Sequence, residues 1–222
     1  MQRVLEPEVM DTSQEAVEYD AMDFTQVNAA FAKLAIELGP QSAGIVLDAG
    51  TGTARIPIII CQQCPQWQII GIDLAQNMLL IGSKNVEHAG LQKQIALELV
   101  DSKQLPYSDG QFEMVISNSL IHHLPEPQPF LLEIKRVLKP NGAILIRDLI
   151  RPADEATMDA MVDSIGTEYN EHQKMLFRDS LHAAFTVDEV NELVQKAGLE
   201  GVQVYQSSDR HWTAQRQHSG VH

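Results

Sequence analysis

The stretch Val46-Leu47-Asp48-Ala49-Gly50-Thr51-Gly52-Thr53-Ala54-Arg55 passes from apolar residues through glycines into an apolar helical pattern. That order predicts a strand, a tight turn and a helix, the opening unit of an open α/β sheet. Gly50 and Gly52 lack a Cβ, so the backbone there can take positive φ and let a ligand approach closely. Ligands of such sheets sit over the carboxyl ends of the strands, where this turn falls. Two neighbours narrow the chemistry. Asp48, two residues before Gly50, puts a carboxylate where it would repel a pyrophosphate and suit a cationic ligand. Arg55 stands where a GxGxxG dinucleotide fingerprint needs its third glycine.

Gly71-Ile72-Asp73-Leu74 closes the next apolar run. Asp73 lies about twenty residues beyond the turn, the interval at which an acid reaches the ribose hydroxyls of a bound nucleoside. Its other reading is as a cap for the helix that follows. Residues 45–48, 68–73, 95–100, 112–118 and 143–148 read as strands, with helices at 54–64, 76–88 and 128–138 and a turn at 140–142. Continuous Val, Ile and Leu strands separated by helices imply a parallel sheet covered on both faces. Ahead of this core, a helical pattern runs over residues 13–38, with a break near 20–23, and stops at Gly39-Pro40. Residues 151–184 are mostly helical in pattern. A helix at 187–197 then precedes two strands, 201–206 and 211–215, that can pair as a hairpin.

The expected fold is therefore α/β: a doubly wound, mostly parallel seven-stranded sheet with a C-terminal antiparallel hairpin at its edge and an N-terminal helical cap. One domain is expected over residues 1–222, with the cap at 1–42, a cofactor-binding core at 43–149 and a substrate-side part at 150–222.

Composition sets the outer limits. With 44% hydrophobic and 21% charged residues, the chain has the make-up of a globular protein. No apolar run approaches the length of a membrane-spanning helix, and the acidic first twenty residues lack the apolar core of a secretory signal. A cytoplasmic location is expected. Thirty acidic against sixteen basic residues, a net charge of −14, disfavour a nucleic-acid or anionic-membrane partner. A small molecule is the expected substrate. Cys61 and Cys64 form one CxxC with no further Cys or His at zinc spacing. They read as thiols on one face of a buried helix.

These pieces and four more downstream resemble the class I (Rossmann-like) S-adenosylmethionine-dependent methyltransferases, in the small-molecule branch that includes ubiquinone/menaquinone-type enzymes. The family's acid-x-Gly-x-Gly is matched by Asp48, Gly50 and Gly52, and its ribose acid by Asp73, followed by Asn77-Met78-Leu79. Asp101 and Ser102 stand where an acid contacts adenine. Leu105-Pro106-Tyr107-Ser108-Asp109-Gly110-Gln111-Phe112 is similar to the passage LPF-x-DG-x-FD, with Glu113 where Asp is common. Ser117-Asn118-Ser119-Leu120-Ile121-His122-His123-Leu124 resembles the loop after the fourth strand, and Arg136-Val137-Leu138-Lys139-Pro140-Asn141-Gly142 the turn RVLKPGG. The likeness covers residues 44–149. Ala54 departs from it, where a third glycine is usual, and is expected to narrow the turn slightly. The resemblance implies S-adenosyl-L-methionine as cofactor and S-adenosyl-L-homocysteine as product. It also implies a cofactor-binding set of Tyr19, Asp48, Ala49, Gly50, Thr51, Gly52, Asp73, Leu74, Met78, Asp101, Ser102 and Asn118.

Methyl transfer needs alignment and exclusion of water more than acid–base chemistry, because the cofactor carries the activated carbon. A base helps only a hydroxyl or amine nucleophile. His122 and His123, at the rim after the fourth strand, are the base candidates, with structural packing as the alternative. Arg178 and His182, one helical turn apart, and His211 are candidates to hold a polar or anionic substrate group. No metal site is expected, since no Asp…Asp-Asn set follows the fourth strand, and arsenite methylation usually draws on several dispersed cysteines. A nicotinamide-dependent reductase would show Tyr-x-x-x-Lys; Tyr19, Tyr107, Tyr169 and Tyr205 are followed at that spacing by Asp23, Gln111, Gln173 and Asp209. A cofactor-binding regulatory or partner subunit without transfer activity keeps the same motifs. The sequence leaves that alternative, the acceptor and the oligomeric state open.

Overall fold

A computed structural model describes residues 1–6, 11–166 and 169–219. The strands are β1 (Gly44–Ala49), β2 (Trp67–Asp73), β3 (Ile95–Leu99), β4 (Phe112–Asn118), β5 (Leu138–Leu149), β6 (Gln203–Gln206) and β7 (His211–Arg216). They form one sheet in the order β3-β2-β1-β4-β5-β7-β6. The first five run parallel, whereas β7 is antiparallel to both β5 and β6. The terminal hairpin thus sits at the sheet edge, as its turn residues imply. Strand order reverses beside β1, which places a crevice above its carboxyl end.

The helices are α1 (Ser13–Ala21), α2 (Thr25–Leu38), α3 (Arg55–Gln63), α4 (Gln76–His88), α5 (Gln128–Val137), α6 (Glu155–Asp163), α7 (Glu171–Ala183) and α8 (Val187–Ala197). Side chains alternate across each strand, so one face buries Leu47, Val115, Ile144 and Ile146 against Phe130, Ile134 and Val137 of α5 and Val190 and Val194 of α8. The other face buries Val46, Ile69, Met114, Ile116 and Leu145 against Phe31 and Ala35 of α2 and Ile60 and Cys61 of α3. Both faces being dry, the strands read as unbroken apolar runs. Among the described residues no helix is long and apolar enough to cross a membrane.

Two local features differ from a plain reading of the sequence. The long N-terminal helical pattern is two helices, because Met22 is extended and Asp23 accepts the backbone N–H of Thr25. The turn residues 140–142 do not precede the fifth strand but bulge within it. Phe112 and Met114 of β4 face Leu138 and Ala143 of β5, so a two-residue step opposes a five-residue one.

Candidate functional site

A cavity of about 890 Å³ opens above the carboxyl ends of β1, β2, β4 and β5, bounded by α1, α2, α7 and the segment entering β7. Of the cofactor residues that the resemblance implies, Tyr19, Gly50, Gly52, Asp73, Leu74, Met78, Ser102 and Asn118 line it, as do His122, His123 and His211.

Its floor is the turn after β1. Gly50 and Gly52 have φ of 75° and 54°, and the N–H groups of Gly50 and Thr51 both donate to Ile72 O at 2.9 Å. A Cβ on Gly50 would come within 3.1 Å of Leu120. Asp73 ties the glycine turn to the next helix: Oδ2 accepts Gly52 N at 2.8 Å and Oδ1 accepts Ala75 N at the start of α4 at 2.9 Å. Burial raises its pKa. Asp48, Ala49 and Thr51 lie beneath the floor rather than on it. Asp48 is 2% exposed and its Oδ2 has no hydrogen-bond partner. Burial, with a contribution from Asp73 and against one from Thr51, pushes its carboxyl up to about 7. A buried carboxylate oxygen without a partner is costly and is relieved by a cation overhead. Asp101 likewise stands back from the cavity, accepting Lys103 N at 2.9 Å with Lys103 Nζ 3.0 Å away, and leaves Ser102 as the wall.

The cap is tied down by polar links. Arg55 donates from Nε and Nη2 to the two Asp20 oxygens at 2.9 and 2.7 Å, and Asn85 Nδ2 donates to Asp20 at 3.1 Å. Asp11 Oδ1 accepts Asn77 N at 2.9 Å, capping α4 from outside. Tyr19 is thereby held over Gly52, whose added Cβ would lie 3.8 Å from the ring, and 5.3 Å from the Phe24 ring centroid. Its 37% exposure opens into the cavity; burial, together with Asp73, Asp48 and Asp20, pushes its hydroxyl up to about 12.

His122 is 4% exposed, its Nδ1 lies 2.5 Å from Asp148 Oδ1, and its backbone N–H donates to Asp148 Oδ2 at 3.0 Å. Glu6 Oε1 is 3.4 Å from His122 Nε2 and 2.9 Å from His123 Nδ1. Burial alone would lower the His122 pKa, but Asp148 and Glu6 overcome it and the net shift is upward. Glu6, His122 and His123 offer three ligand atoms within 4.8 Å of one another, a spacing a metal ion would accept. Arg3 holds the loop from below, donating to the carbonyls of His122 and Leu124 at 3.0 and 2.8 Å.

Two substrate candidates are displaced from the cavity. α7 faces it with Gln173, Leu176, Phe177 and Ser180, one helical stripe. Arg178 points instead to α6, where Nη2 pairs with Asp159 and Nη1 lies 3.6 Å from Glu155. His182 also lies outside the cavity walls. Among the described residues, the arginines that line the cavity are Arg147 and Arg210. Neither they nor Glu6 and Asp148 belong to a sequence motif; only the outward position of residue 147 at the end of β5 marks one of them. The motif residues Leu105, Tyr107 and Asp109 meet Arg136, whose guanidinium donates to Leu105 O, Tyr107 O and Asp109 Oδ1 at 2.9, 2.7 and 2.9 Å. Those two motifs form one staple. Cys61 and Cys64 are buried in the core away from the cavity, and burial pushes the Cys61 thiol up to about 12.

A mostly parallel seven-stranded sheet in this order, with an acid-flanked glycine turn flooring a cavity at the switch point, defines the class I S-adenosylmethionine-dependent methyltransferase architecture. A family model described as Methyltransferase domain matches residues 40–206. The chain belongs to this family. It is 34% identical over 125 residues to a demethylmenaquinone methyltransferase of Lactobacillus johnsonii, covering 56% of this chain and 50% of that protein. An arsenite methyltransferase of Halobacterium salinarum is 28% identical over 201 residues, covering 86% of this chain and 47% of its own length. The chain spans about half the length of the curated relatives it matches. Among solved structures, a SAM-dependent methyltransferase from Aquifex aeolicus shares the fold with a TM-score of 0.70 at 18% identity, over 95% of this chain and 100% of that one.

Proposed function

We propose that the chain transfers a methyl group from S-adenosylmethionine to a small-molecule acceptor by in-line displacement, acting as one unit over residues 1–222. The observation that carries this reading is the buried Asp48 oxygen without a partner, beneath a glycine cradle and beside Asp73. A pyrophosphate would meet repulsion there; a sulfonium with an ammonium group meets its complement. The bound cofactor supplies a methyl carbon made electrophilic by the adjacent positive sulfur. In this reading Asp73 accepts the ribose hydroxyls, Leu74, Met78 and Ser102 flank the nucleoside, and Asn118 lies towards the methionine end; that all five line the one cavity supports it. Tyr19 and α1 cover the floor and exclude water. His122 and His123 line the cavity and are the base candidates for a hydroxyl or amine nucleophile, a role that requires a neutral ring nitrogen facing the acceptor. Asp148 fixes the His122 ring and leaves Nε2 on the side of Glu6.

The test is calorimetric titration with S-adenosylhomocysteine. Asp73→Ala is expected to weaken binding at least tenfold, since it removes charge-assisted ribose contacts. A transfer screen with tritiated methyl donor against metabolite extracts follows. Unchanged affinity in the variant removes Asp73 from the site; binding without transfer favours a regulatory subunit.

A further inference from the structure

The cavity is electrically polarised, in a chain whose net charge is −14. The carboxylates among its walls, Glu15, Glu18, Asp23 and Asp73, come from α1, the link to α2 and the end of β2. The opposite end is walled by Arg147, near the end of β5, and by Arg210 and His211, where β7 begins. Neither arginine makes an ion pair among the described residues. Arg147 Nε reaches the Thr213 hydroxyl at 3.4 Å, and its guanidinium lies 5.4 Å from the Phe31 ring centroid. Arg210 donates to Ser164 Oγ at 2.6 Å and lies 5.7 Å from the Phe177 ring. Asp148, the residue after Arg147, offers no counter-charge, because its oxygens are taken by His122 and by the backbone N–H of Leu149. Burial lowers the Arg147 pKa. A partly desolvated cation without a counter-ion is unfavourable until an anion arrives. Ser207 and Ser208 line the same end.

Resting on the methyltransferase reading, we infer that the acceptor carries a carboxylate or phosphate group held by Arg147 and Arg210, with an apolar body against Phe24, Val27, Leu176 and Phe177. The anionic end then sits over β5 and the start of β7, across β1 and β4 from the acid at the end of β2, which orients the acceptor before transfer. Arginine's planar fork suits either oxyanion.

The experiment titrates the full chain, saturated with S-adenosylhomocysteine, with octanoate, octyl phosphate and octanol as probes. At least one anion is expected to bind tenfold or more tightly than octanol, and comparison of the two anions separates carboxylate from phosphate. That margin should vanish in Arg147→Gln/Arg210→Gln while affinity for S-adenosylhomocysteine stays within twofold. Arg210→Gln alone, on the loop, should reduce the margin and keeps the test open should the double variant fail to fold. Octanol binding as well as the anions, or neither anion binding, overturns the inference. So does an equal loss of S-adenosylhomocysteine affinity in the variants, which would assign the arginines to the cofactor's own carboxylate. A wild-type chain that ignores S-adenosylhomocysteine removes the methyltransferase reading itself, and the inference with it.

Discussion

At the scale of single residues, the role proposed for Asp48 sets stability against binding. Its carboxyl has an ordinary value of 3.8 and is pushed up to about 7 in the fold. The folded state thus holds a proton that the unfolded state releases between those values. Stability is therefore fullest below 3.8 and is lost as pH rises through about 7. At about 1.36 kcal/mol per unit, the shift sets a ceiling near 4 kcal/mol. An unpartnered amide keeps part of that penalty. Asp48→Asn is expected to stabilise the chain by about 1–3 kcal/mol at pH 8, to change little at pH 4, and to weaken S-adenosylmethionine binding; thermal unfolding at both pH values decides it. Ala54 carries a second, smaller strain. Its φ is 61°, in the left-handed region, so the methyl group burdens the backbone rather than narrowing the turn. Ala54→Gly should raise stability by about 0.5–1 kcal/mol, read as a melting-temperature rise of about 1–4 °C; a fall would show that the buried methyl matters more than the strain.

At the scale of elements, legibility follows the range of the signal. β2, β4, α4 and α8 could be read almost to the residue, because apolar periodicity and caps such as the Thr186–Glu189 box are local. The glycine turn at the floor of the cavity was legible for the same reason, Gly50 and Gly52 being next to β1 in the chain, and Asp73 closes the adjacent strand. The acceptor end was not. Arg147 and Arg210 are 63 positions apart in numbering and meet one cavity only because β7 inserts antiparallel beside β5. Arg178 misled because helical spacing puts it and His182 on one face without saying that α6 already supplies acids to Arg178. Arg55 argued against a dinucleotide fingerprint, yet its place in the structure is to anchor α1 through Asp20. Arg55→Met should therefore weaken S-adenosylhomocysteine binding about three- to tenfold, faster release in stopped flow accounting for the change, with melting temperature almost unmoved. An unaltered release rate would separate the clamp from the cofactor.

Across the whole molecule, the two ways of holding parts together are kept in different places. The sheet and its flanking helices are joined by buried hydrocarbon on both faces, whereas α1 meets α3 and α4 largely through the Asp20, Arg55, Asn85, Asp11 and Asn77 contacts, with a small apolar patch at Ala16, Ala75 and Met78. Salt leaves the first kind of contact nearly untouched and weakens the second kind where a charged partner is exposed, as Arg55 is opposite Asp20. Raised ionic strength is therefore expected to ease α1 off the cavity floor before it disturbs the sheet: brine would loosen the hinge plate while the foundations stay fast, seen as faster release of S-adenosylhomocysteine at an unchanged melting temperature.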